Sequence, residues 1–334
     1  MKHFDYPGSG FALAAKNKGK WKHVYQGLTC IGGTSITSQS LFDLASLTKV
    51  VATLPICLIL LKRRELDLKE KVKFYISSAG WFQEPSLGDV EIIDLFNHTS
   101  GLPAWKPLFA LSNDSSVLKA NVLQTQLLIP GSRCYSDIGW ILLGHIIERI
   151  TKLSLDTLAN QLIFEPLGMQ NTCFNPLEKY QKDLCVATED CGWRKQLLQG
   201  IVHDENAYAI GGIAGHAGLF STLEDLTLYI NAWLDNLEIL GLREEATMVI
   251  KSKSESKELP SYGIGWRLPP SLEFSSRGNH PGAMGHTGYT GTSVWFDYHK
   301  KKSVILLNNM VYPSRHNKDL DIQTFRKEIH EHFI

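Results

Sequence analysis

The strongest constraint on the fold lies at the two ends of the chain. Phe11-Ala-Leu-Ala-Ala15 and Trp21-Lys-His-Val-Tyr25 flank a break at Asn17-Lys-Gly-Lys20, the pattern of a β-hairpin. Thr292-Ser-Val-Trp-Phe296 and Ser303-Val-Ile-Leu-Leu307, joined by polar Tyr298-His-Lys-Lys-Lys302, form a second. Between them the apolar spacing turns helical, at Gly139–Ile150 and Leu223–Leu234. Strands at both termini with helices in the interior predict one antiparallel sheet assembled from both ends, an α+β fold. Ser221-Thr-Leu-Glu224 predicts a capping box ahead of the second helix. Val50–Leu61, the most apolar stretch and interrupted by Pro55, reads as a buried helix too short to span a bilayer.

With 334 residues, 43% of them hydrophobic, a large bilobal unit is within reach. The expected boundaries give residues 1–75 and 255–334 to a mixed α/β unit and 76–254 to a mainly helical one. Lys251–Glu258, rich in Lys, Ser and Glu, reads as a surface connector. The 34 basic and 34 acidic residues cancel, so no global field draws nucleic acid, an anionic membrane or a polyacidic substrate. The expected partner is a small molecule or short peptide recognised locally, with no nucleic acid and no membrane span. The first residues carry no apolar leader core, so a signal peptide is either absent or already removed. The first case points to the cytoplasm, the second to the periplasm or secretion. Six cysteines lie scattered without C-x-x-C spacing and read as reduced thiols, with a Cys185–Cys191 closure as the alternative.

Ser46 and Lys49 supply the first chemical signal. If a helix starts near Ser46, the i, i+3 spacing puts hydroxyl and amine on one face, with the hydroxyl near helix N-terminal amides. A lysine buried among Val50 and Val51 can have a lowered pKa and take the serine proton. Spacing alone decides little, because Ser116/Lys119 and Ser254/Lys257 repeat it. Ser46 differs in having Tyr135-Ser-Asp137 downstream, just ahead of a helix, and His286-Thr-Gly288 just ahead of the last strands.

These motifs resemble those of the serine β-lactamase and penicillin-binding-protein superfamily, in its branch of class C β-lactamases, D-aminopeptidases and related esterases. The resemblance extends to Phe42-Asp-Leu-Ala-Ser-Leu-Thr-Lys49, His98-Thr-Ser-Gly-Leu-Pro103, Pro166-Leu-Gly-Met169 and Gly211-Gly-Ile-Ala-Gly-His-Ala-Gly218. It implies a β-lactamase/transpeptidase-like fold, an antiparallel sheet flanked by helices with a second all-helical domain. It further implies Ser46 as acylated nucleophile, Lys49 as its base and Tyr135 as proton shuttle to the leaving group. The backbone amides of Ser46 and Tyr289, on an edge strand, would be the oxyanion donors. Thr287 and Gly288 would help bind substrate, and neither metal nor cofactor is called for.

Two positions depart from the pattern. Asp137 stands where β-lactam-processing relatives usually carry Asn, and an ionised carboxylate accepts but cannot donate. It should also favour charged Lys49 and shift proton transfer towards Tyr135. His286 replaces the lysine that helps bind a substrate carboxylate, offering a hydrogen bond in place of a charge. The resemblance so modified implies hydrolysis of an ester or amide of a small acyl or D-amino-acid-like substrate. Its alternatives are a class C-like β-lactamase or D-alanyl carboxypeptidase, and a non-catalytic penicillin-binding sensor. His98 reads as a turn-stabilising residue, and His203-Asp-Glu205 as loop hydrogen bonding, since no H-E-x-x-H accompanies it.

Overall fold

The computed structural model describes residues 5–76, 82, 86–112, 114–129, 131–252, 261–269, 282–316 and 321–333. Most of the expected connector, its Ser254/Lys257 pair and the 254/255 boundary lie outside the described residues. Lys251 itself ends a helix, Arg243–Lys251.

Both terminal hairpins form. β1 (Gly10–Asn17) and β2 (Lys20–Gly27) pair antiparallel across Lys18 and Gly19, both at positive φ, as a two-residue turn matched to strand twist requires. In chain order follow β3 (Phe42–Asp43), β4 (Cys173–Phe174), β5 (Ala187–Cys191), β6 (Gln196–Gln199), β7 (Leu219–Ser221), β8 (Ser261–Tyr262) and β9 (Arg267–Leu268). β10 (Ala283–Thr287), β11 (Ser293–Asp297) and β12 (Lys302–Asn308) complete the set among the described residues. Seven strands make one sheet in the order β2-β1-β12-β11-β10-β9-β8, so the chain's first and last hairpins meet at β1–β12. β10, which carries His286 and Thr287, is therefore not the edge strand expected. It is paired on both sides, although among the described residues β9 pairs with it at Gly285 alone.

Alternation along β1 shows how the sheet is covered. Ala12 and Ala14 face the main core, where the Leu223–Leu234 helix brings Tyr229 and Trp233. Phe11, Leu13 and Ala15 face the opposite side and meet Phe325 and Ile329 of the C-terminal helix Ile322–Phe333. A strand buried on both faces needs apolar residues at every position, which explains the unbroken run Phe11–Ala15.

The capping box does not form as read. Ser221 is held in β7 opposite Phe42, so Thr222 becomes the cap and accepts from Asp225 N at 3.3 Å, while Glu224 takes the Tyr25 hydroxyl. The Asp137–Thr151 helix starts on Ser136, whose Oγ accepts from Gly139 N. All six cysteines are free. No helix among the described residues is long and apolar enough to cross a membrane.

Candidate active site

Ser46 follows a bend with a specific cause. Ala45 sits at φ +46°, costly for a residue with a Cβ, and its N–H donates to Asp43 Oδ1 at 2.8 Å. Asp43 Oδ2 accepts from His203 N at 2.7 Å, so one buried carboxylate fixes both the turn before the serine and the far wall. The chain then coils through a π-helical stretch, Lys49–Thr53, into the helix Leu54–Lys62. Pro55 sits inside that continuous coil without an N–H, so Val50 O, five residues earlier, lacks its partner in the wider register. The Tyr229 hydroxyl fills the gap. The π stretch turns Lys49 towards Ser46 and leaves it wholly buried.

Lys49 Nζ donates to Asp137 Oδ1 at 2.6 Å, Ser46 Oγ at 2.9 Å and His216 O at 3.1 Å. Burial alone would lower its pKa, but Asp137 and Tyr135 outweigh burial and hold it above the ordinary lysine value. The expected depression is thus overturned by the very carboxylate that the sequence flagged. An ammonium has three N–H donors and no lone pair, and all three are committed. Tyr135 adjoins both Lys49 and Ser46, its ring centre 5.1 Å from Nζ, and burial pushes its phenol up against the lowering pull of Lys49.

The glycine-rich loop supplies the third acceptor. Gly215 packs directly on Gly144, and a Cβ on it would meet Trp140 O at 2.2 Å, so only glycine lets the loop touch the Asp137–Thr151 helix. Thr53 Oγ1 donates to Gly215 O at 2.7 Å and His216 O faces Lys49. His216 Nε2 meets Asp204 Oδ1 at 2.8 Å, and Ala207 N donates to the same oxygen. His98, at φ +62°, carries the Tyr135 segment: its Nδ1 accepts from Ser136 N at 3.0 Å and its O from Cys134 N at 2.9 Å. Burial, then the nearby cations, push His98 well below the usual imidazole value, so the neutral ring acts as an acceptor, the turn-stabilising role expected of it.

The opposite lip is tied to the serine strand by hydroxyls. Thr290 Oγ1 donates to Asp43 O at 2.8 Å and Thr292 Oγ1 to Leu44 O at 3.1 Å. Gly288 lies so close that a Cβ would meet Thr292 Oγ1 at 2.1 Å and Leu44 O at 2.6 Å. Tyr289, the next residue, lines the same cleft as Ser46. Among the described residues neither Ser46 N nor Tyr289 N donates to a protein acceptor. His286 departs from the expectation: it is 2% exposed and does not line the cleft, and its Nδ1–H donates to Thr287 O at 2.9 Å. Burial holds it neutral, well below the usual imidazole value. Thr287, Gly288 and Tyr289 face the cleft in its place.

The cleft has a volume of about 750 Å³, with Ser46, Tyr135 and Asp137 on its walls. Sequence reasoning missed several other wall residues. Asp204 and Glu205 face it, and Arg315 lies on its wall, bonding Glu189 Oε2 and Glu205 Oε1 at 2.7 Å each. His203 Nε2 lies 3.2 Å from Glu189. The triplet His203-Asp204-Glu205 was the available signal: its hydrogen bonds are those of a wall, at the cleft and not away from it. Of the repeated S-x-x-K pairs, Lys119 is taken by Glu148 at 2.5 Å, far from any such company. No group of three or more His, Cys, Asp or Glu among the described residues is placed to hold a metal ion.

A family model described as beta-lactamase matches residues 1–325. The "N-acetylmuramyl-L-alanine amidase" of Bacillus subtilis is 31% identical over 307 residues, 81% of this chain and 68% of its own length. A "Putative D-alanyl-D-alanine carboxypeptidase" of Salmonella enteritidis is 32% identical, over 82% of this chain and 70% of its own. A class C beta-lactamase in complex with cefoxitin superposes with a TM-score of 0.73 at 19% identity, over 97% of this chain and 94% of that one. The octameric penicillin-binding protein homologue from Pyrococcus abyssi gives 0.72 at 21%, over 92% and 71%. The fold is thus β-lactamase/transpeptidase-like, and the chain belongs to the beta-lactamase family of serine hydrolases.

Proposed function

We propose that this chain hydrolyses an amide of a muramyl- or D-alanyl-type peptide through an acyl-enzyme on Ser46. The observation that carries the reading is the Ser46 hydroxyl held 2.9 Å from a buried ammonium, beside the Tyr135 phenol, in the wall of a peptide-sized cleft. The two relatives, an amidase and a carboxypeptidase by description, favour an amide over the ester weighed from sequence.

Because Lys49 has no lone pair to offer, the serine proton leaves through Tyr135. As Ser46 Oγ attacks the carbonyl carbon, its proton passes to the phenol oxygen while the phenol's own proton passes to the leaving nitrogen. Water later takes the place of the amine and the relay runs backwards, restoring Ser46. The raised pKa of Tyr135 suits a neutral phenol that hands on one proton as it receives another. Lys49 stabilises negative charge along the relay. The amides of Ser46 and Tyr289 receive the tetrahedral oxygen, each worth on the order of 3 kcal/mol.

Intact-mass analysis with Ser46→Ala as control tests this, across a muramyl-L-alanyl peptide, D-alanyl peptides, short esters and a cephalosporin. A Ser46 adduct that turns over with the peptides is expected. Stoichiometric labelling without turnover would favour the sensor reading, which the protonated Lys49 makes a real competitor. Within the relay, Tyr135→Phe should cost roughly 10²–10⁴ in kcat and Lys49→Ala less. The reverse order sinks the relay.

A further inference from the structure

An aromatic strip runs outward from the cleft. Trp105 and Phe109 line the cleft, with ring centres 6.1 Å apart; Phe109 meets Trp193 at 4.8 Å, and Trp193 meets Tyr208 at 6.4 Å. Trp105, Trp193 and Tyr208 are 45%, 53% and 42% exposed. They come from three separate segments: the loop 101–107, the β5–β6 turn and the short helix Glu205–Ala209.

Two polar side chains bolt these segments together. The Arg194 guanidinium sits 4.3 Å from the Tyr208 ring centre and 5.3 Å from that of Trp193, and it donates to Val202 O at 2.6 Å and His203 O at 2.9 Å. Buried Asn206 accepts from Phe109 N at 3.0 Å and donates to Lys106 O at 2.9 Å. The rings are therefore held in a fixed row while exposed, the condition of a preorganised binding surface.

Resting on the proposed amide hydrolysis, we infer that this strip is a subsite for the pyranose ring of a sugar-bearing substrate. A pyranose offers C–H faces to aromatic rings and hydroxyl or acetamido groups around its rim. The wall beside the strip meets that rim with Asp204, Glu205 and Arg315. An apolar acyl chain there would cover two carboxylates and a guanidinium without replacing their water, at a cost.

The test compares kcat/KM for an N-acetylmuramyl-L-alanyl peptide and for the same D-lactyl-L-alanyl peptide without the sugar. The wild type should prefer the sugar-bearing substrate. Trp105→Ala and Trp193→Ala should each cut that preference about tenfold, through KM. Trp193→Phe, which keeps a ring, should restore most of it. No preference in the wild type, equal losses on both substrates, or a stronger preference for an octanoyl-L-alanyl peptide overturns the subsite. Binding of N-acetylmuramyl-L-alanine to Ser46→Ala, followed by titration calorimetry, reads the strip without any chemistry. Saturable binding lost in the Trp193→Ala background supports the subsite even if no amide is cleaved; binding unchanged by that substitution, or equalled by D-lactyl-L-alanine, overturns it.

Discussion

Two cation clusters border the cleft, and they differ in what their protons can do. Lys49 is wholly buried against one carboxylate, Asp137, a serine hydroxyl and a carbonyl. Arg315 is a quarter exposed and held by two carboxylates, Glu189 and Glu205. Guanidinium stays charged at any working pH, whereas an ammonium in a crowded pocket answers to its neighbours. The Arg315 cluster can only fix geometry: Glu189 reaches His203, and His203 N holds Asp43, which shapes the turn before Ser46. The Lys49 cluster lies within one proton transfer of Ser46, the proposed nucleophile. A static ionic cluster and a proton-bearing one thus border the same cleft.

The largest effect should come from breaking the static wall. Burial by itself would raise Glu189, yet His203 and Arg315 hold it far below the usual carboxylate range. Glu189→Ala leaves Arg315 and His203 short of a buried partner and should lower unfolding free energy in urea by about 3 kcal/mol. A loss well under 1 kcal/mol would mean that water already solvates the cluster and the two walls are alike.

The reactive wall is sharpened by Asp137→Asn. Without the carboxylate, burial governs Lys49 and its pKa falls, so a neutral amine can take the serine proton directly. The penalty of Tyr135→Phe should then shrink by about tenfold in this background, with the alkaline-side plateau reached at lower pH. An unchanged penalty in the double-mutant cycle would show that Asp137 does not set the route.

The effect that is smallest near neutral pH, and grows in acid, separates both walls from the framework. Burial lowers four imidazoles: His98 and His286 well below 6.5, His145 to about 4 and His330 to about 3. Below 6.5 the unfolded chain binds protons that the folded chain refuses, so stability is full above 6.5 and falls as pH drops towards 4 and 3. Calorimetry should show Tm declining over that window, with a shallower slope in His330→Phe. A flat profile would show that these rings take up protons without unfolding the chain.

Much of this was legible in the residues. Apolar runs broken by polar turns located both hairpins and helical spacing both long interior helices, because segments that must be buried leave their pattern in the sequence. Ser46, Lys49, Tyr135 and Asp137 could be picked out because their motifs are local, each beside a turn or helix start, whereas the meeting of Lys49 with Asp137, 88 residues away, is tertiary. His286 misled, since a residue's place in a motif does not tell which way its ring turns. Here the ring goes inward and bonds Thr287 O. The Ser221 cap failed for a similar reason: pairing with Phe42 claimed it for a strand.

By itself the sequence determined the α+β architecture, the order of the motifs and the presence of a carboxylate beside the lysine. Only the tertiary structure decided that this carboxylate keeps Lys49 charged with every donor spent. It also brought Trp105, Phe109, Trp193 and Tyr208, from three segments, into one row. The physical reason is range: hydrophobic periodicity and turn chemistry act between neighbours in sequence. Proton affinity and ring-to-ring contact depend on which distant atoms share a few ångströms of buried space.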